Sequence, residues 1–172
     1  MTRLGFSAVA VAIASFATPA VAQQTNTASK TTTGTATVVA PIALAENTAL
    51  RFGSVTRPSA GTTTLTVDST GACTAGVSGG NGALVTSTSG CATYSVTGET
   101  GQAFNISLSG TTFDLTHSNG TDKVVVTLNK SAAIGTVGQA SAAFKVGGSF
   151  PVTSTTVAGA YTGTFDVTVT YN

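Results

Sequence analysis

The chain has 172 residues, a formal net charge of +1 at neutral pH and only 8% charged residues. That balance offers no basic stripe for nucleic acid and no cationic face for an anionic membrane. Thr, Ser, Gly and Val dominate instead, residue types that favour strands and turns over helices.

The chain begins with Met1, Thr2 and the positive Arg3, continues through an apolar run over 4–17, and reaches the small-x-small site Ala20-Val21-Ala22. This pattern predicts a signal peptide over residues 1–22 and export of the remainder. The run is short for a bilayer core of roughly 30 Å, so no membrane insertion is expected after cleavage. About 150 residues would then remain, a size suited to one domain with a real core. In that mature chain Lys30, Arg51, Arg57, Lys123, Lys130 and Lys145 balance six acidic residues.

Residues 23–34 are polar, Thr-rich and without apolar periodicity, and read as a flexible leader ahead of a single domain over 35–172. Ala36, Val38, Ala40, Ile42 and Leu44 then alternate with polar or small residues, a strand signal interrupted by Pro41. Residues 64–68 form a further short strand. Cys73 and Cys91 lie eighteen positions apart. In an exported chain such a pair predicts a structural disulfide, contributing about 3 kcal/mol by restricting the unfolded chain. The Gly-rich stretch 76–82 lacks the Lys-Ser/Thr and helix of a phosphate cradle and reads as a mobile loop.

Residues 93–97 and 104–108 alternate around a Gly-bounded turn at 98–101 and predict one hairpin. Asn119-Gly120 predicts a tight reversal between strands at 113–115 and 123–128. Segments 142–146, 150–152 and 161–171 complete the set. In the last, Phe165, Val167, Val169 and Tyr171 share one face, and Asp166, Thr168 and Thr170 share the other. Short strands with regular turn signals and no amphipathic helix predict an all-β, immunoglobulin-like antiparallel sandwich of Greek-key type.

The ending, with Tyr171 penultimate, Phe165, Val167 and Val169 alternating before it and Gly159 fourteen positions from the end, resembles the C-terminal assembly motif of bacterial chaperone–usher pilins. Segments 36–55, 96–108 and 146–172 also resemble an uncharacterised family of bacterial secreted domains, similar in turn to spore-coat and fimbrial-subunit domains. The resemblance implies an incomplete sandwich whose groove is filled by an extended strand, with Phe165, Val167, Val169 and Tyr171 as the recognised edge. The implied partners are a periplasmic chaperone, an outer-membrane usher and other copies of the subunit, and the implied location is the periplasm and then the cell surface. The alternation at Ala36, Val38, Ala40, Ile42 and Leu44 is either a donor strand or the domain's own first strand.

The expected function is therefore that of a structural subunit of a surface fimbria, polymerised by strand complementation and serving adhesion. The alternative is a self-complete secreted sandwich that binds a glycan or surface component through its loops. Catalysis is not expected. Asp114, His117 and Ser118 sit on one hairpin arm and cannot present nucleophile, base and orienter together. No cofactor or metal is expected, since the spacing of Asp68, Asp114 and Asp122 matches no Ca²⁺ loop.

Overall fold

The computed structural model describes residues 26–86, 88–138 and 142–172. Residues 1–22, where a signal peptide is expected, lie outside them. The chain divides into Met1–Ala36 and Thr37–Asn172. In the first unit, residues 26–36 are exposed and carry no regular secondary structure.

The described residues of the second unit form thirteen strands: β1 (Ala43–Thr48), β2 (Ser54–Val55), β3 (Thr62–Val67), β4 (Ala75–Ser78), β5 (Leu84–Thr86), β6 (Ala92–Thr97), β7 (Ala103–Leu108), β8 (Thr112–His117), β9 (Lys123–Lys130), β10 (Ile134–Thr136), β11 (Ala142–Thr153), β12 (Tyr161–Thr162) and β13 (Val167–Tyr171). No helix occurs among the described residues. The large sheet runs β1-β6-β11-β9-β8-β12, with β3 and β4 branching from β11; β10-β7-β13 form a second sheet and β2-β5 a third. Every pairing is antiparallel, giving the expected all-β sandwich.

Alternation explains how the two main sheets face each other. Ala92, Tyr94 and Val96 of β6, Phe144 and Val146 of β11, and Leu128 of β9 meet Phe104 and Ile106 of β7 in one buried cluster. Burying these side chains is the main stabilising term, each contributing about 1.5–3 kcal/mol. Strand β11 is the hub. It pairs with β6 over 142–146, with β9 over 146–149 and with β3 over 148–153. Because Val146 pairs with both β6 and β9, and Gly148 with both β3 and β9, β6 and β3 lie end to end along one edge of β11. The Cys73–Cys91 disulfide, Cα–Cα 5.1 Å, ties the segment between β3 and β4 to the residue just before β6.

Several local expectations change in the fold. Residues 93–97 and 104–108 do not form a hairpin: β6 joins the large sheet and β7 the small one, so the turn at 98–101 carries the chain across the sandwich. Both strands need their apolar faces in the same core, and placing them in opposed layers buries both. The segments at 142–146 and 150–152 are one continuous strand, because Gly147 and Gly148 stay extended within it. Residues 76–78 are paired in β4 against β3, not loop, and Gly79, Gly80 and Gly82 pack on Thr62 and Thr63. Thr63, fully buried, accepts the Gly82 N–H at 2.9 Å and donates to the Gly79 carbonyl at 3.2 Å. The reversal at Asn119-Gly120 does join β8 to β9, with Gly120 at positive φ and the side-chain Oδ1 of Asn119 accepting the N–H groups of Thr121 and Asp122.

The first strand is shifted. Residues 36–41 carry no strand, and β1 starts only at Ala43, two residues after Pro41, which removes a ladder donor there. Ile42 and Leu44 pack against the core, whereas Val38 is 94% exposed. The terminal segment is also divided. Tyr161 and Thr162 pair with β8 in the large sheet, and β13 pairs with β7 in the small one. The crossover sits at Gly163, where a Cβ would lie 2.1 Å from the Asp114 carbonyl oxygen.

Candidate functional site

Strand β13 occupies the edge of its sheet, with β7 as its one neighbour there. The Ser109 N–H donates to the Asp166 carbonyl at 2.9 Å and the Asn172 N–H to the Ala103 carbonyl at 3.1 Å, so the even-numbered backbone groups face β7. Antiparallel geometry then turns the N–H and C=O groups of Val167, Val169 and Tyr171 outward, toward the unpaired side. Their side chains behave differently from their backbones. Phe165, Val167, Val169 and Tyr171 are half-buried and pack against the core, while Asp166, Thr168 and Thr170 are exposed.

The edge is fixed at both ends. Tyr171 accepts the Glu99 N–H at 2.7 Å and donates its hydroxyl to the Ala40 carbonyl at 3.0 Å. Gly98 leaves room for that phenol, since a Cβ there would meet Tyr171 Oη at 2.1 Å. At the other end the Phe165 ring lies 5.1 Å from that of Phe113, joining the two sheets. Tyr171→Phe keeps the ring and removes both hydrogen bonds, so it is expected to lower stability by about 1–2 kcal/mol in urea denaturation.

Phe165 also ends a groove of about 770 Å³ between the layers. Its floor is the inward face of Tyr94, Phe113, Leu115, Val124, Phe150 and Val152. One wall is residues 49–55, with Phe52 set edge-on to Phe150 at 5.0 Å. The other is residues 156–165. Burial, and then the Glu46 carboxylate, push the Tyr94 phenol above its ordinary value. Among the wall residues only 54–55 (β2) and 161–162 (β12) belong to strands.

Gly159 belongs to the second wall, not to the edge strand. Its φ is +152° and a Cβ would meet His117 Nε2 at 2.0 Å, so the chain there lies directly on the imidazole. His117 is itself held, Nδ1 accepting the Asn119 N–H at 3.1 Å and Nε2 lying 3.2 Å from the Ala158 carbonyl. Gly159→Ala is therefore expected to lift residues 157–162 from β8, visible as lost exchange protection at Ser118, whose N–H donates to the Ala160 carbonyl.

The remaining polar candidates are not gathered. Asp114 pairs with Lys123 at 3.1 Å, Asp122 accepts from Asn119 in the β8–β9 turn, and Asp68 accepts from Thr70. Among the described residues no group of three or more His, Cys, Asp or Glu side chains is arranged to hold a metal. Neither cysteine lines the groove; the two are joined to each other in a disulfide.

Fold and site together define an antiparallel β-sandwich with an unpaired edge strand beside an apolar groove. Residues 42–171 match a family described as a domain of unknown function, DUF4402, and the chain belongs to that family. No curated protein and no solved structure matches the chain.

Proposed function

We propose that this protein is a structural subunit of a cell-surface fimbria, polymerised by strand complementation after export and delivered by a periplasmic chaperone and an outer-membrane usher. One observation carries this reading: the N–H and C=O groups of Val167, Val169 and Tyr171 face outward from an edge strand with no neighbour on that side of its sheet, and Phe165, just ahead of the strand, ends a groove with an apolar floor. An extended strand laid along such an edge gains affinity from main-chain hydrogen bonds and specificity from alternate side-chain pockets. The resemblance of the terminal motif to pilin assembly strands points the same way.

The occupant we favour is residues 35–39 of another copy. This stretch is rich in Thr and Val, exposed and without a strand of its own, and it precedes the first residue packed in the domain core, Ile42. Ala40, held by the Tyr171 hydroxyl and the Glu99 carboxylate of its own chain, and Ile42 and Leu44 are then domain residues, and Ala36 and Val38 the donated ones. Two substitutions separate these roles. Val38→Asp is expected to leave a folded monomer that no longer polymerises, whereas Ile42→Asp is expected to cost about 1–3 kcal/mol of monomer stability. Expression of residues 23–172, followed by size exclusion and negative-stain microscopy, tests the whole reading. Fibres, or a product that needs a chaperone or donor peptide to stay soluble, support it; a monomer that neither polymerises nor binds such a peptide rejects it in favour of a self-complete sandwich.

A further inference from the structure

We propose that the Cys73–Cys91 disulfide is a thiol-exchange site whose opening releases the 49–55 wall of the groove while both main sheets stay folded. Two sets of observations meet here. The first concerns access. Cys73 is half-buried and lines a shallow cleft of about 580 Å³ with Asn47, Thr48, Arg51 and Lys145, whereas Cys91 is only 2% exposed. Lys145 Nζ donates to the Gly71 carbonyl at 2.8 Å, which fixes its charge two residues from Cys73. A disulfide that opens onto a cleft with two cations suits attack by an anionic thiolate and eases departure of the other sulfur as thiolate.

The second set concerns what the bridge holds. The 49–55 wall is fastened to the loop that the disulfide closes. Arg51 and Gly90 exchange reciprocal backbone bonds at 2.7 and 2.8 Å, one residue from Cys91. Beyond them β2 pairs with β5, the Thr56 N–H donates to the Ala83 carbonyl at 2.8 Å, and the Ala83 N–H donates to Thr56 Oγ1 at 2.8 Å. None of the pairings of β7, β8, β9, β11 or β13 passes through this loop, and β4 remains on β3 through its own register. Opening the bridge therefore loosens the wall locally.

The chemistry balances with a dithiol as reductant. Its thiolate attacks Cys73 Sγ, the S–S bond breaks, and the electron pair leaves on Cys91 Sγ, which takes a proton. The second thiol of the reductant then attacks the mixed disulfide and releases Cys73. The protein gains two electrons and two protons, and the dithiol becomes a disulfide.

The test uses the purified full chain, dithiothreitol without denaturant, iodoacetamide trapping and amide hydrogen exchange. Both cysteines are expected to be alkylated, with exchange at Arg51, Thr56, Ala83 and Gly90 rising at least tenfold and that at Ser109 and Asn172 unchanged. A Cys73→Ser/Cys91→Ser protein is expected to reproduce the same pattern without reductant. Alkylation only at denaturant concentrations that unfold the chain, or loss of protection at all these amides together, overturns the proposal. The consequence for assembly rests on the docking reading, so a peptide of residues 33–41 is titrated against both forms. Weaker binding to the reduced form supports control of docking, and equal binding to both forms overturns it. Binding to neither form rejects the docking reading itself, and the amide pattern still decides the exchange proposal.

Discussion

Gly147→Val is expected to yield no stably folded protein. Gly147 lies within β11, the strand on which β3, β6 and β9 all depend. A Cβ there would stand 2.2 Å from the Val67 carbonyl oxygen and 2.8 Å from the Ser69 N, both backbone atoms of the adjoining chain. Rotamer changes cannot relieve a conflict with backbone, so β3 must move away from β11, and Leu65 and Val67, both fully buried, lose their packing. The cost is about 3 kcal/mol or more, a large part of the stability of a domain this size. Gly76→Val is the control, because a Cβ at Gly76 meets nothing within 4 Å. Urea denaturation followed by far-UV circular dichroism is expected to show the Gly76 variant close to the parent and the Gly147 variant unfolded without denaturant.

Prolines on β13 are expected to divide by parity. The Thr168 N–H faces β7, where Thr168 stands opposite Ser107, so Thr168→Pro removes a ladder bond and drives the ring toward the neighbouring strand. A loss of about 1 kcal/mol for the bond, with the steric cost added, is expected in monomer stability. The Val167 N–H faces the unpaired side, where proline is tolerated. Val167→Pro is therefore expected to leave the monomer nearly as stable as the parent but to reduce strand docking at least tenfold, because it removes a donor that only an added strand would use. Equal loss of stability in both variants would mean that the edge is already paired within the monomer.

What the residues disclose without a structure follows from the range of the interactions. The alternation of Phe165, Val167, Val169 and Tyr171 is local, and their common half-buried face could be read from period two alone. The β8–β9 reversal was equally legible from Asn119-Gly120. The disulfide followed from there being only two cysteines. The layer that each strand joins was not legible, because Val96 and Phe104 are buried by each other from opposite sheets and nothing in a short alternating run records which. Nor was the role of Gly159, which answers to His117, forty-two positions earlier, rather than to the strand it precedes. The groove escaped for the same reason: its lining is drawn from residues between Glu46 and Phe165 that meet only once the sheets are assembled. Pro41 was the one local hint that the strand begins later than the alternation at Ala36 suggests.

The most direct test of strand complementation is amide hydrogen exchange of residues 23–172, resolved by residue, with and without a saturating peptide of residues 33–41. The amides of Val167, Val169 and Tyr171 are expected to exchange rapidly in the free monomer and to become protected when the peptide is present, while those of Thr168 and Thr170 are protected throughout. Protection of all five amides in the free monomer, or none gained at the odd positions with the peptide in excess, would contradict it.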